Sequence, residues 1–176
     1  MKLKTIFASL TFFLMFSGIS FADAGGEHKP YVGSTAFEQM KQLAGNWEGS
    51  MDMGQGPMTF KASYKLTSGG SALIETIFEG APHEMVSVYH DNSDKKLTMI
   101  HYCAEHNQPR FILTSMEGGK LMMDITKDSQ SEVAQQKHIH NALIHIQGKD
   151  NMVQHWTGYE DGKKDKVVEM IFKRVK

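Results

Sequence analysis

The chain has 176 residues, of which 40% are hydrophobic, and its formal net charge is −1. That length suits one domain that buries its core without disulfide bonds, and a single cysteine excludes an intrachain disulfide. The near-neutral charge argues against nucleic acid as a partner, because nucleic-acid binding requires a clustered basic surface.

The first 24 residues have the pattern of a secretory signal peptide. Lys2 and Lys4 precede an apolar run over 6–16, and Ala22-Asp23-Ala24 gives a small-x-small cleavage pattern. The run is shorter than the ~20 apolar residues of a membrane span. We therefore predict cleavage after Ala24 and a periplasmic or secreted protein with no membrane span. Residues 25–33 are predicted to be a flexible leader, and residues 34–176 to be one domain.

A short helix precedes a series of strands in the predicted domain. Thr35 and Glu38 fit a capping box that begins the helix. From Met58 to Thr67, apolar and polar residues alternate, as is typical of a strand with one buried face. Turn-rich connectors separate the strands, and only the polar segment 128–137 is longer. Nine further strands are predicted over 46–53, 71–79, 83–90, 96–105, 110–116, 120–127, 138–147, 152–160 and 166–175.

Ten short strands joined by tight turns predict an up-and-down antiparallel sheet. A sheet of that many strands tends to close, because closure removes the unpaired edges. We therefore predict an all-β protein, built as a ten-stranded antiparallel barrel with a short N-terminal helix.

One local pattern concerns the closure of the barrel. Gly45-Asn46-Trp47 follows the helix at the start of the first strand, and Arg174 lies on the last strand. This arrangement resembles the lipocalin or calycin barrel, where an arginine of the last strand packs over the tryptophan of a G-x-W motif. The resemblance implies a cation–π contact between Trp47 and Arg174 at one end of a calycin-like barrel. The alternative is an ordinary core tryptophan beside a surface arginine.

A second resemblance rests on His101-Tyr102-Cys103 followed by Asn107-Gln108-Pro109-Arg110. This H-Y-C-x3-N-Q-P-R stretch is similar to the signature of uncharacterised bacterial secreted proteins of calycin-like type, and Gln154-His155-Trp156 is also similar. The resemblance covers roughly residues 43–175 and implies a barrel, but it transfers no activity. A looser likeness to nitrobindin-type haem-binding barrels concerns the fold alone.

The first functional hypothesis is a small apolar or amphipathic molecule bound inside the barrel. Apolar cavities with a few polar groups suit such ligands. Arg110 begins a strand and can pair with a ligand carboxylate or phosphate, or alternatively with Glu105 or Asp124 as a structural arginine. The predicted ligand site comprises Tyr89, His101, Cys103, Asn107, Arg110 and Trp156.

The second hypothesis is a metal or haem site. Residues i and i+2 of a strand face the same side, so His101 and Cys103 share one face, as do His138 and His140. Together these four side chains would supply the ligands of a zinc or copper ion. The alternatives are a solvated His138, a hydrogen-bonded core His101 and a buried, apolar Cys103. The first expectation is that no cofactor is bound, with zinc, copper or haem as alternatives.

The sequence favours a binding protein over an enzyme. It contains no nucleophile-elbow, zincin, P-loop or dinucleotide-binding motif. Cys103 and His101 make a poor nucleophile–base pair, because residues i and i+2 lie ~6–7 Å apart at the backbone. A third hypothesis is a structural or interaction barrel without a ligand. A barrel with no cavity larger than ~300 Å³ would favour that hypothesis.

Overall fold

The computed structural model describes residues 29–176. The predicted signal peptide, its cleavage after Ala24 and the first part of the predicted leader, residues 25–28, lie outside the described residues. Within residues 29–176, no helix has both the length and the apolar character needed to cross a bilayer.

The described chain contains two short α-helices, one 3-10 turn and ten strands. Helix α1 spans Thr35–Lys41, helix α2 spans Lys127–Val133, and the 3-10 turn spans Ser68–Gly70. The strands are β1 (Gly45–Asp52), β2 (Pro57–Thr67), β3 (Ala72–Ile77), β4 (Met85–Asp91), β5 (Leu97–Tyr102), β6 (Arg110–Glu117), β7 (Lys120–Ile125), β8 (His138–Ile146), β9 (Asn151–Glu160) and β10 (Lys163–Arg174).

The ten strands form a closed barrel in which every strand pairs antiparallel with its neighbours in sequence. The first and last strands complete the closure, with pairs that run from Trp47↔Arg174 to Ser50↔Ile171. Closure gives each of these ten described strands a partner on both sides, which is the reason a sheet of this size closes. The prediction of an all-β, ten-stranded antiparallel barrel with a short N-terminal helix is confirmed.

Strand β2 shows how the local pattern sets the wall of the barrel. Phe60, Ala62 and Tyr64 are buried, whereas Lys61 and Lys65, at the alternate positions, are exposed. Side chains with this period of two point alternately to the interior and to solvent. The same alternation in the other strands gives one continuous core inside the barrel.

Helix α1 belongs to the closed end of the barrel, and it buries Phe37 and Met40 there. Its N-cap is Ser34, whose Oγ accepts a hydrogen bond from the Phe37 N–H at 3.1 Å. The prediction that Thr35 caps the helix is therefore wrong by one residue. Glu38 instead accepts from the N–H of Gly33 at 2.6 Å.

The last residues of the predicted leader are attached to the barrel. The N–H of Tyr31 donates to the carbonyl of Gly69 at 3.1 Å, and its hydroxyl donates to Asp91 at 3.1 Å. The ammonium group of Lys95 lies 4.2 Å from the centroid of the Tyr31 ring, within the range of a cation–π contact. These contacts hold the described end of the leader against the domain.

Helix α2 lies within the long polar connector after β7, where the sequence shows no helical pattern. Thr126 caps it by accepting from the Ser129 N–H at 3.4 Å, and Val133 is buried. The Ser129 hydroxyl in turn accepts from the Arg110 N–H at the start of β6, at 2.9 Å. The helix thus covers part of the open end of the barrel, the end opposite α1.

Candidate functional site

Trp47 and Arg174 meet at the closed end of the barrel. The guanidinium carbon of Arg174 lies 4.3 Å from the centroid of the Trp47 ring, and the indole N–H donates to the Leu43 carbonyl at 2.8 Å. Arg174 also donates to the carbonyls of Ala44 and Gln42, each at 2.7 Å. The arginine therefore joins β10 to the turn that follows α1, while its charge rests on the indole face.

Steric contacts explain why the first residue of the G-x-W motif is a glycine. Gly45 has a φ of +135°, and a Cβ built on it would lie 2.7 Å from Nη1 of Arg174. A side chain at this position would strain the backbone and displace the guanidinium.

The middle of the barrel interior is occupied by a hydrogen-bonded group of polar side chains. Glu75 on β3 is fully buried and accepts hydrogen bonds from the hydroxyls of Tyr64 and Tyr89, the latter at 2.8 Å. The Gln154 amide donates to the same carboxylate at 2.9 Å, and its carbonyl accepts from the Trp156 indole at 2.6 Å. We call Glu75, Tyr64, Tyr89 and Gln154 the interior polar cluster.

The cluster changes the expected character of the interior. Burial and the neighbouring Glu75 raise the pKa of both tyrosines well above the ordinary value, so both hydroxyls stay protonated and serve as donors. A buried carboxylate is tolerated when its oxygens accept several hydrogen bonds. Part of the interior, where a small apolar or amphipathic ligand was predicted, is therefore occupied by the protein's own side chains.

A pocket of about 210 Å³ remains at the open end of the barrel, above Trp156. We call it the open-end pocket. His101 and Trp156, which are both buried, form its deep part, and exposed charged side chains form its rim. Its lining comprises His83, Met85, His101, Cys103, Ala104, Glu105, Lys137, His138, Ile139, Trp156, Gly158, Asp165, Lys166 and Val168.

Two irregularities of the sheet open this space on either side of Gly158 in β9. The register of β8 with β9 shifts between Ile139 and Asn141, and that of β10 with β9 shifts between Lys164 and Val167. Such bulges bend a strand locally and interrupt the regular wall. A Cβ on Gly158 would have the Lys166 carbonyl at 3.7 Å as its nearest neighbour, so the missing side chain leaves usable room.

His101 supplies the unpaired polar atom of the open-end pocket. Its Nδ1 lies 3.1 Å from the Ser87 hydroxyl, and its ring packs edge-on against Trp156 with centroids 4.6 Å apart. Among the described residues, Nε2 has no hydrogen-bond partner although it is buried. Burial lowers the pKa of His101 from about 6.5 to about 3, so the imidazole is neutral at physiological pH.

The serine decides which ring nitrogen of His101 carries the proton. A hydroxyl can donate to Nδ1 of His101 or accept from it, and we take Ser87 as the donor in this pair. Nε2 then carries the hydrogen and is a donor without an acceptor. A buried, unsatisfied donor costs about 1–3 kcal/mol, a penalty that a ligand acceptor in the pocket would relieve.

Cys103 lies in the same pocket, immediately beyond the end of β5. Its backbone N–H donates to the Asn107 carbonyl at 3.0 Å, so the thiol sits on a tight turn rather than on the strand. Burial raises the pKa of the Cys103 thiol above its ordinary value. Cys103 therefore lines the pocket with a protonated thiol of low reactivity.

The structure brings three of the six predicted ligand residues to the open-end pocket, namely His101, Cys103 and Trp156. Tyr89 lies deeper, in the interior polar cluster. Asn107 donates to the Lys137 carbonyl at 2.8 Å and so ties two pocket loops together instead of facing a ligand.

The side chain of Arg110 lies on the outer face of the barrel. Its guanidinium contacts Glu132 of α2 at 2.7 Å, and 41% of the side chain is exposed. The carboxylate partner differs from both alternatives that the sequence suggested. Because Glu132 belongs to a helix that the sequence did not reveal, this pairing was not predictable.

The four predicted metal ligands do not form one group. His101 faces the interior beside Trp156, and Cys103 follows on the adjacent turn. His138 and His140 contact each other, with Nε2 and Nδ1 3.4 Å apart. Across residues 29–176, no three His, Cys, Asp or Glu side chains are arranged to hold one metal ion.

Several important residues were missed from the sequence. Glu75 stands between Leu73 and Ile77 with a period of two, which was a readable signal for an inward-facing acid. Tyr64 and Gln154 also occupy inward positions of alternating strands. Gly158 carried no signal, because the bulges that make it important depend on the pairing with β8 and β10.

These features define a closed ten-stranded antiparallel barrel with a buried polar cluster in its interior and a small pocket lined by a buried histidine. No protein-family model and no curated protein matches the chain. A solved structure that it resembles is a protein of unknown function from the DUF3598 family of Nostoc punctiforme, with a TM-score of 0.51 at 13% identity. The match covers 84% of this chain and 51% of that chain, so this chain spans about half the length of that protein. At this identity the likeness concerns the fold alone.

Proposed function

We propose that the protein binds a small, uncharged and mainly apolar molecule with one hydrogen-bond acceptor in the open-end pocket. The observation that carries the proposal is the buried Nε2 of His101, which has no partner among the described residues and belongs to a pocket-lining side chain. An acceptor on the ligand would satisfy this donor, and the apolar remainder would pack on Trp156 and Met85.

The size of the pocket limits the ligand. A volume of 210 Å³ corresponds to about seven water molecules at ~30 Å³ each. Pockets for drug-sized molecules are larger, at roughly 300–1,000 Å³. The proposed ligand is therefore a single small ring or a short chain, and for so few atoms we expect a Kd between about 1 μM and 1 mM.

The charges of the pocket argue for a neutral ligand. The deep part holds His101, which stays neutral because burial lowers its pKa to about 3. The exposed rim carries two basic side chains, Lys137 and Lys166, and two acidic ones, Glu105 and Asp165. The rim charges balance, so neither an anion nor a cation is favoured by the net charge.

The proposed place of action is the periplasm or the exterior of the cell. The support for it is the signal-peptide pattern of residues 1–24. The resemblance of the H-Y-C-x3-N-Q-P-R stretch to bacterial secreted proteins of calycin-like type points in the same direction.

Two probes of nearly equal shape test the proposed hydrogen bond. Acetophenone offers a carbonyl acceptor, whereas α-methylstyrene has a CH₂ group in place of the oxygen. We expect acetophenone to bind about tenfold more tightly, since one hydrogen bond contributes about 1–1.5 kcal/mol. The chain has two tryptophans, and the indole N–H resonance of Trp156, rather than that of Trp47, should shift on binding.

Three variants serve this experiment. His101→Phe keeps a ring against Trp156 but removes the donor, so it should abolish the preference for acetophenone. Gly158→Val should weaken both probes by filling the pocket. His155→Phe is the matched control. His155 lies on β9 next to Trp156, but its ring pairs with Glu169 on the outside of the barrel at 2.7 Å. Equal affinities of the two probes for the wild type, or unchanged binding to Gly158→Val, would contradict the proposal.

A further inference from the structure

His138 and His140 form a pair at the edge of the open-end pocket. His140 is the residue at which β8 shifts its register against β9, between Ile139 and Asn141, and His138 lies two residues before it. His138 is 3% exposed, and its Nε2 lies 3.4 Å from Nδ1 of His140. The pair makes no use of His101, so its chemistry is independent of the proposed function.

The ring of His138 is already in the tautomer that a metal ion requires. Its Nδ1 lies 2.7 Å from the backbone carbonyl of Gln136, which can only accept, so Nδ1 carries the hydrogen. Nε2 therefore presents a lone pair toward His140. Metal-binding histidines commonly donate their other ring N–H to a backbone carbonyl in this way, because the bond fixes the ring and its tautomer.

The ring of His140 is also held in place. It stacks on Tyr159, with centroids 3.9 Å apart and an angle of 19° between the planes. Its contact with His138 at 3.4 Å is longer than a normal N–H···N hydrogen bond. Replacing this weak bond with coordination by both nitrogens would therefore cost little.

The separation of the two nitrogens matches a coordination geometry. Two imidazoles bound to a tetrahedral zinc at ~2.0–2.1 Å lie about 3.3–3.4 Å apart. The observed distance is 3.4 Å. We propose that His138 Nε2 and His140 Nδ1 form a bidentate site for a divalent transition-metal ion that prefers imidazole, such as Zn²⁺. Water completes the coordination sphere, since no third His, Cys, Asp or Glu of the described residues joins the pair.

The electrostatic surroundings agree with this site. Burial and the neighbouring His138 lower the pKa of His140, which favours the neutral, metal-binding form of the ring. The carboxylate of Asp124 acts on His140 in the opposite direction and places negative charge near the incoming cation. A two-histidine site with water ligands should exchange its metal readily.

Zinc alone is the probe for the test, because Zn²⁺, unlike Cu²⁺, has no redox chemistry and does not oxidise thiols. ZnCl₂ is titrated into the full chain, and the imidazole ¹⁵N resonances are followed by NMR. We expect Nε2 of His138 and Nδ1 of His140 to shift together with one stoichiometric equivalent. His140→Phe, which keeps the stack on Tyr159, should weaken binding at least tenfold, whereas the control His145→Phe on the same strand should change it less than twofold.

The histidine variants distinguish the possible outcomes of the zinc titration. His138→Phe should lose binding as well, and if that buried substitution prevents folding, the half-buried His140→Phe variant decides the question alone. Unchanged zinc affinity in His140→Phe, or shifts confined to other histidines, would overturn the proposal. Acetophenone binding to His140→Phe stays as in the wild type, so failure of the zinc site and failure of the open-end pocket are distinguished.

Discussion

Removing the carboxylate of Glu75 is the sharpest test of how the barrel interior is held together. Glu75→Ala would leave the hydroxyls of Tyr64 and Tyr89 without their carboxylate acceptor, and it would remove one of the two oxygen acceptors of the Gln154 amide, which also donates to the Tyr64 hydroxyl. Each unsatisfied buried donor costs about 1–3 kcal/mol, and a small cavity adds to this cost. We expect the free energy of unfolding to fall by at least about 3 kcal/mol, a large part of the ~5–15 kcal/mol typical of a domain.

Urea unfolding, followed by circular dichroism and tryptophan fluorescence, measures this change. The midpoint should fall while the slope m stays constant, because the surface exposed on unfolding is nearly the same. Tyr89→Phe removes one of the three donors and should cost about 1.5–3 kcal/mol, the range for a bond to a charged group. Glu169→Ala, an exposed acid on β10, is the control and should change stability by less than about 1 kcal/mol.

A small effect would refute this account of the interior. If Glu75→Ala lowered stability by less than about 1 kcal/mol, the two hydroxyls would have to find other acceptors, and the interior polar cluster would not depend on its carboxylate. Near-wild-type stability of Glu75→Leu would have the same meaning, since leucine restores volume but accepts no hydrogen bond.

Three further predictions concern both ends of the barrel. Arg174→Lys should lower the free energy of unfolding by about 1–3 kcal/mol, because lysine cannot combine the stack on Trp47 with several carbonyl bonds; an unchanged urea midpoint would contradict this. Since the folded pKa of His101 lies near 3, below its unfolded value of about 6.5, wild-type stability should fall as the pH drops from about 6.5 towards 3. The contribution of this residue is at most about 1.4 kcal/mol per pH unit, and pH-dependent unfolding of His101→Phe should show a shallower slope. Because burial raises the pKa of the Cys103 thiol, Ellman's reagent should modify it at least tenfold more slowly than glutathione at neutral pH, and equal rates would argue for an exposed thiolate.

The barrel itself was predictable because its signals are local. The alternation of Phe60, Ala62 and Tyr64 with lysines needs only neighbouring residues to be recognised, and so do the turns between strands. Helix α2 was not predictable, since Val133 is the one apolar residue of its seven and no helical period can be seen. Its position depends on contacts such as Ser129 with Arg110, which form only after folding.

The candidate site was predictable only in part, because several of its contacts form only after folding. The sequence singled out His101, Cys103 and Trp156, which the structure places in one pocket. It also singled out Arg110 and Asn107, whose partners lie on a helix and a loop that no local pattern connects to them.

The sequence by itself determined the number of strands, the closure of the sheet and the faces that point inward. Only the tertiary structure decided what those inward faces do. Gln154 reaches Glu75 across 79 positions of the chain and Tyr64 across 90, and such partners are defined by the closed barrel alone. A buried carboxylate requires donors around it, and three side chains from three other strands converge on Glu75 and occupy that part of the interior.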